Sequence, residues 1–546
     1  MLKRYSLLGL MLGTLFLVLS LTPSLLPRSY ALQGLISGIS LSVGYMFGLI
    51  ISAVWTYLGF KQPASYWQAK LRPLLLGLCL TLIIVALYFS KQWQSNLHSF
   101  MHLEPPNQLY PIAEALIAFT IFYLLDLIAR LIGWLAKKVK HYLQPIMPTR
   151  VAFLASGVVT LIFVWFLLNG LLLKFALHTI DQSYQSLDAF TQDEQAMPQA
   201  ATQTGNTASL IPWQTLGNQG RSYILTAPNS TQISQWSGKA AQQPLRVYVG
   251  LNSAETPELR AKLALDELKR IGAFNRKLLI LITPTGTGWV DEASLDPLEY
   301  LQNGDIASVA VQYSYLSSPL SLLIEPEYGR KTARALFNEV YDYWTSLPKT
   351  QRPQLYLFGL SLGALNSDLS FDLFDVINDP PQGALWSGPP FAAPTWRTAT
   401  QERDKGSSAW LPTFKQGKVL RFMNQYGMPP NASQWQNFRI LFLQYGSDPI
   451  TFFSPDLFLQ KPAWLNLPRA PDVNPELQWY PIVTGLQVAA DMLVGTGTVP
   501  VGYGHDIAAE HYINAWIELL NISDYTPAQI QQLKMYFMKK QINKQD

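Results

Sequence analysis

The chain has 546 residues, enough for more than one domain at about 150 residues each. Only 14% are charged, against ~25% in ordinary soluble proteins, and 49% are hydrophobic. A disordered or solvating chain is excluded, and a purely soluble one is disfavoured. The single cysteine, Cys79, excludes an intramolecular disulfide framework and a Cys-cluster zinc site.

Charge is unevenly spread. Residues 1–180 hold 13 Lys/Arg and three acids, Glu104, Glu114 and Asp126, whereas residues 181–546 hold 27 basic and 33 acidic groups. An acidic C-terminal part has no electrostatic footprint for nucleic acid. The basic excess of the first part is read as membrane topology.

Residues 1–180 are expected to form a helical transmembrane domain. Apolar stretches at roughly 5–22, 31–59, 72–90, 110–135 and 150–177 predict about five spans of ~30 Å of hydrocarbon. The first is followed by further spans and lacks a clear small-residue cleavage site, so it reads as retained rather than as a signal peptide. Asp126 and Arg130 stand i, i+4 on one face of the fourth stretch. They read as a mutually neutralising pair near a helix end, in preference to a polar relay or substrate contact inside the membrane, and Glu114 reads as interfacial. Basic residues in the short loops set the orientation. Lys3, Arg4, Lys61, Lys70, Arg72, Lys137, Lys138, Lys140 and Arg150 fall on one side, Arg28 and Lys91 on the other. The first side should be cytoplasmic. Five crossings of the cytoplasmic (inner) membrane then put the chain after about residue 178 on the periplasmic or extracytoplasmic side.

Residues 181–215 are rich in Gln, Thr, Ser and Ala, including Gln192, Gln195, Gln199, Gln203 and Thr204, and read as a loosely ordered polar linker. Residues 216–546 read as an α/β domain. Strands are expected at Leu245–Gly250, Leu278–Thr283, Ser308–Tyr313, Gln354–Gly359, Ala384–Ser387 and Phe438–Gln444. Several are apolar throughout, as buried parallel strands are. Helices are expected at Pro257–Ile271, Tyr328–Ser346 and Leu362–Val376, and the alternation predicts a doubly wound, mostly parallel sheet.

Three places carry chemistry. Gly359-Leu360-Ser361-Leu362-Gly363 follows a predicted strand and opens a predicted helix. A sharp strand-to-helix turn lifts a serine hydroxyl to where a base and a substrate reach it, and flanking glycines leave room for the strained backbone. Tyr445-Gly446-Ser447-Asp448-Pro449 follows the last strand, which places the Asp448 carboxylate at the same sheet edge. Gly502-Tyr503-Gly504-His505-Asp506 puts an imidazole in a glycine-flanked loop before a helix from about Ile507 to Leu520. Of six histidines, four lie in the membrane region or its edges. His511 falls inside the predicted helix, where a packed or surface role fits, which leaves His505.

The order Ser361, Asp448, His505 is that of nucleophile, acid and base in an α/β-hydrolase triad. Asp456, Asp472 and Asp491 are the competing acids. An oxyanion hole is expected from the Leu362 N–H and from the loop Pro284–Trp289, with Gly286 or Thr287 as second donor. No metal or cofactor motif is present.

Further pieces carry a resemblance: Leu21-Thr22-Pro23-Ser24-Leu25-Leu26-Pro27-Arg28, Ile211-Pro212-Trp213, Leu216-Gly217, Gly220-Arg221, Thr283–Val290 and the Ser361 turn. The chain resembles the bacterial membrane-anchored α/β-hydrolase family, with its multi-span N-terminal domain. The resemblance implies a serine-hydrolase-like domain joined to a membrane domain. Leu360 departs from it, since the family pattern implies Glu before the nucleophile, and the departure bears on substrate choice.

Aromatic-rich segments 388–437, with Trp396, Trp410 and Trp435, and 451–500, with Phe452, Phe453, Trp464 and Trp479, could cap the site and bind an acyl chain, or simply pack. The expected substrate is an acyl ester of a membrane lipid or other amphiphile. Water as acceptor makes the protein an esterase- or lipase-like hydrolase, and a lipid hydroxyl makes it an acyltransferase. The competing classes are a non-catalytic scaffold that keeps the fold and a transporter-like protein. The latter needs more intramembrane polar groups than Asp126 and Arg130.

Overall fold

A computed structural model of the chain describes residues 5–60, 65–105, 111–167, 196–316, 326–430 and 433–545. The chain divides into two compact units. The first comprises residues 1–178 with the segments Phe453–Leu465 and Val473–Pro500; the second comprises residues 179–452, 466–472 and 501–546. The placement of most of 453–500 with the N-terminal helices is not anticipated from the sequence.

The first unit contains α1 (Leu7–Ser20), α2 (Tyr30–Tyr57), α3 (Ser65–Phe100), α4 (Pro111–Leu143) and α5 (Thr149–Phe166). Four of them, all but α1, are long and apolar enough to cross a membrane. Of the about five spans expected, the first stretch is the shorter helix α1, whose 14 residues extend about 21 Å. The predicted end of the fifth stretch, 168–177, lies outside the described residues.

Lipid offers helices no hydrophobic incentive to associate, so close backbone approach has to supply it. Helix α2 does this twice. Gly34 and Gly38 meet α4, where an added Cβ would lie 2.9 Å from the Glu114 carbonyl oxygen and 2.6 Å from that of Ala118. Gly44 and Gly48 meet α1, with the corresponding contacts at 2.5 Å to the Leu12 carbonyl oxygen and 2.4 Å to the Gly9 Cα. Leu17, Leu21, Leu41, Ile83, Ala86, Ala118 and Phe122 fill the space between.

Several polar groups inside this unit are paired. Arg130 Nε donates to Asp126 at 2.8 Å, as the neutralising-pair reading expects, and the Tyr5 hydroxyl adds a bond to the same oxygen at 2.9 Å. Glu114 is buried in the first turn of α4 and accepts from Ser90 Oγ. The stretch Leu21–Arg28 forms a cradle for Asp491, at the end of the helix Val483–Asp491. Arg28 Nε donates to Asp491 at 2.6 Å, Ser24 Oγ at 2.5 Å and the Leu25 N–H at 3.2 Å.

The second unit is built on a seven-stranded sheet: β1 (Leu245–Val249), β2 (Leu278–Thr283), β3 (Ile306–Val311), β4 (Gln354–Leu360), β5 (Gly383–Ser387), β6 (Leu420–Met423) and β7 (Arg439–Leu443). The order is β1-β3-β2-β4-β5-β7-β6, and every pairing is parallel. The strands are buried along almost their whole length, which explains why they read as continuous apolar runs. Strand β6 has no counterpart among the predicted strands. It is a four-residue edge strand centred on Arg421, whose guanidinium stacks on Trp435 at 3.8 Å.

The helix expected over Leu362–Val376 is two helices, Leu362–Asp368 and Leu373–Val376. Ser370 Oγ bonds back to the Ser367 carbonyl, and Asp372 caps the second helix, so short polar side chains compete with the helical ladder there. The residues of the predicted linker up to 195 lie outside the described ones. From residue 196 on, the segment is packed rather than loose. Thr204 Oγ1 bonds the Arg246 carbonyl, Ser209 Oγ and the Leu210 N–H bond Glu267, and Ile211 and Trp213 are buried.

Candidate active site

An all-parallel sheet delivers the loops after its strands to one edge, and here those loops carry the candidate residues. Ser361 follows β4 directly, and Leu362 begins the next helix. Ser361 has φ +58° and ψ −125°, outside the regions open to L-residues, at a strain of about 1–3 kcal/mol. The two glycines of the motif explain how the turn closes. A Cβ on Gly359 would lie 2.4 Å from the Gly363 carbonyl carbon, and one on Gly363 would lie 2.2 Å from the Thr283 carbonyl oxygen. The turn is thus pressed onto itself and onto the start of the loop after β2. That loop closes on itself, with the Thr285 N–H donating to the Trp289 carbonyl at 3.0 Å. Gly286 is buried, and the Thr287 carbonyl accepts from Gln312 Nε2.

Asp448 lies just past β7, fully buried. Its Oδ1 accepts the Ile450 N–H at 2.8 Å, and its Oδ2 accepts Thr451 Oγ1 at 3.0 Å and His505 Nδ1 at 2.7 Å. Burial by itself would push the His505 imidazole down. The Asp448 charge and hydrogen bond outweigh this and hold it above the ordinary 6.5. With Nδ1–H given to Asp448, Nε2 carries the lone pair. Nε2 is buried and has no hydrogen-bond partner among the described residues.

Asp448 and His505 are therefore in contact, whereas no hydrogen bond joins Ser361 to His505. Strand β5, between β4 and β7, relates the pair to the serine. The Ser361 N–H donates to the Ser387 carbonyl at 2.9 Å, and the next residue is Gly388. A Cβ on Gly388 would lie 2.5 Å from His505 Cε1 and 3.2 Å from Asp448 Oδ2. The imidazole thus lies against Gly388, next in sequence to the residue that bonds the Ser361 amide. Sequence reasoning missed Gly388, although a glycine at the end of a central strand, followed by two prolines, was a legible signal.

The competing acids are engaged elsewhere. Asp491 pairs with Arg28 in the helical unit, Asp456 also belongs to that unit, and Asp472 accepts from Ser447. His511 is packed inside Ala509–Leu520 with Nδ1 2.5 Å from the Tyr445 hydroxyl, and burial pushes its imidazole down to about 4. It is the uncharged histidine, and its partner Tyr445 also accepts the Ala508 N–H, three residues from His505. The tryptophans of 388–437 pack: Trp396 Nε1 bonds Gln444, Trp410 Nε1 the Pro468 carbonyl and Trp435 Nε1 Glu518. Leu360 is buried at the end of β4.

No curated protein and no solved structure matches the chain. Two family profiles do. One, described as an alpha/beta-hydrolase family, matches residues 245–533; the other, its N-terminus, matches residues 21–228. The first covers more than half of the chain and contains Ser361, Asp448 and His505, so the protein belongs to this alpha/beta-hydrolase family.

Proposed function

We propose that the protein is a membrane-tethered serine hydrolase that cleaves acyl esters of lipids or other amphiphiles through Ser361, His505 and Asp448. The observation that carries this reading is the buried His505–Asp448 pair, its imidazole against Gly388, next in sequence to the residue that bonds the strained Ser361 turn.

Ser361 Oγ attacks the ester carbonyl while His505 Nε2 takes its proton, and Asp448 stabilises the imidazolium. The oxyanion is held by the Leu362 N–H at the start of its helix and by the Gly286–Thr287 loop, with the helix N-terminus favouring the charge. The alkoxide leaves with the proton from His505, which gives an acyl-enzyme on Ser361. His505 then deprotonates the acceptor. Water yields the acid, and a lipid hydroxyl yields a transferred acyl group. Exclusion of water from the pocket decides between the two.

The apolar helices α2–α5 support the membrane tether. The catalytic unit is assigned to the outer face of the cytoplasmic membrane on the basic-loop count. That assignment survives the shortness of α1. If α1 does not cross, Lys3 and Arg4 change sides, and the loop groups Lys61, Lys70, Arg72, Lys137, Lys138, Lys140 and Arg150 still outnumber Lys3, Arg4, Arg28 and Lys91.

The test is fluorophosphonate labelling of the wild type and Ser361→Ala, with comparison of the lipids extracted from cells carrying each. Loss of labelling together with accumulation of an ester-linked lipid supports the hydrolase. Loss of one acylated species with gain of its unacylated acceptor supports transfer. Labelling that persists in Ser361→Ala overturns the nucleophile, and a wild type that never labels favours a scaffold.

A further inference from the structure

Ser447 and Asp472 are fully or nearly fully buried, and the triad chemistry uses neither. Asp472 Oδ2 accepts both the Ser447 N–H and the Ser447 hydroxyl, each at 2.8 Å. The same hydroxyl accepts the Gly504 N–H at 3.0 Å. Ser447 precedes Asp448, and Gly504 precedes His505. One hydroxyl therefore ties the turn that carries the acid to the loop that carries the base. Asp472 decides how that hydroxyl points. With its proton committed to the carboxylate, its lone pairs are left for the Gly504 amide. Asp472 Oδ1 is buried without a hydrogen-bond partner among the described residues. A buried polar oxygen without a partner is costly.

Its place in the chain is also unusual. Residues 466–472 belong to the sheet unit, while the segments on both sides, Phe453–Leu465 and Val473–Pro500, belong to the helical one. Between acid and base the chain leaves the sheet unit, returns for seven residues that end in Asp472, and leaves again.

We propose that Asp472 is a positioning residue of the triad. Through Ser447 it sets the spacing of the Asp448 turn and the His505 loop, and so ties triad geometry to the seven residues 466–472. The inference rests on the reading of Ser361, His505 and Asp448 as the catalytic set. An error of ~1 Å at reacting groups costs on the order of 100-fold, so a modest slackening is measurable.

The test measures fluorophosphonate labelling rates of the full-length protein against pH for the wild type, Asp472→Ala, Ser447→Ala and the double variant, with thermal unfolding of each. Asp472→Ala, which removes the acceptor of both Ser447 bonds, should label about 10- to 100-fold more slowly. The midpoint of its acid limb should fall, because a loosened Asp448 supports the imidazolium less. Ser447→Ala should behave alike, and the double variant should be no slower than the slower single one, since both act through one bonded unit. A lowered melting temperature alone moves neither midpoint nor non-additivity. Wild-type rate and midpoint in Asp472→Ala, or losses that multiply in the double variant, overturn the proposal. If Asp472→Ala does not fold, Ser447→Ala, which deletes one oxygen, decides on rate and midpoint. Ser361→Ala is the control that separates the two readings. Labelling that persists there removes the nucleophile itself, whereas its loss alongside an unaffected Asp472→Ala removes only the role of Asp472.

Discussion

Two buried aspartates, one per unit, invite comparison. Asp491 sits among Arg28, Ser24 and the Leu25 amide, each of which holds it in place. Asp448 sits among the Ile450 amide, Thr451 and His505, and only the last of these can change protonation near neutrality. Both carboxylates are fully buried, so burial does not distinguish function from structure. The partner does. An arginine fixes a charge permanently, whereas an imidazole with a free second nitrogen leaves a proton to be moved. The units also differ in what closes their interiors: glycine-to-backbone contact between helices in one, side chains buried on both faces of a sheet in the other.

Activity should distinguish the aspartates most sharply. Asp448→Asn should lower turnover by roughly 10³- to 10⁴-fold with thermal stability little changed. Gly388→Ala should give a comparable loss, because its methyl would displace the imidazole from a distance of 2.5 Å. Ester hydrolysis beside circular dichroism measures both, and a near-normal rate in either would unseat the site.

Asp491→Asn should do the reverse. It leaves Arg28 buried and unpaired, a loss of about 3–5 kcal/mol in unfolding, while the labelling rate of the surviving folded fraction stays at the wild-type value. A selective loss of rate at unchanged stability would assign Asp491 to the chemistry.

A smaller effect concerns pH and stability. Burial pushes the Asp291 carboxyl up to about 7 from the ordinary 3.8. The folded protein therefore binds this proton more tightly than the unfolded chain. Its contribution is fully present below about pH 4 and is lost as pH rises through about 7, with a total on the order of 4 kcal/mol. Asp291→Asn keeps an oxygen for the Ala293 amide and should flatten this slope, making the variant more stable than the wild type at pH 8. An identical slope in both would show that the group is solvated.

The smallest expected shift concerns the base. As the proposed base His505 acts neutral, and its imidazole is held above 6.5, so the acid limb of labelling should have its midpoint above that value. A midpoint at or below 6.5 would mean that Asp448 does not govern the imidazole.

Much of the sheet unit was legible because its determinants are local. Largely apolar runs of four to seven residues marked six strands, and the Ser361 motif stood between a strand and a helix as it should. Strand β6 was not legible, since four residues around an arginine have no strand signature. Asp448 could be singled out because it directly follows a strong strand. Ser447 and Asp472 could not, because their roles depend on a meeting of three separate loops. The bond between Arg28 and Asp491 spans 463 positions, and no composition or period encodes it. The length of α1 was overestimated because hydropathy does not register where Pro23 and the turn around it end a helix.

The interleaving of the two units along the chain has a practical consequence for anyone wishing to isolate the sheet unit. A truncation that begins near residue 196 would not yield a self-sufficient soluble enzyme. It would carry Phe453–Leu465 and Val473–Pro500 without the helices they fold with, and Asp491 without its arginine. Those orphaned stretches hang from the same backbone that bears the acid and the base, so aggregation and loss of turnover should arrive together. A workable excision would replace both stretches with short connectors and keep the seven residues 466–472 between them.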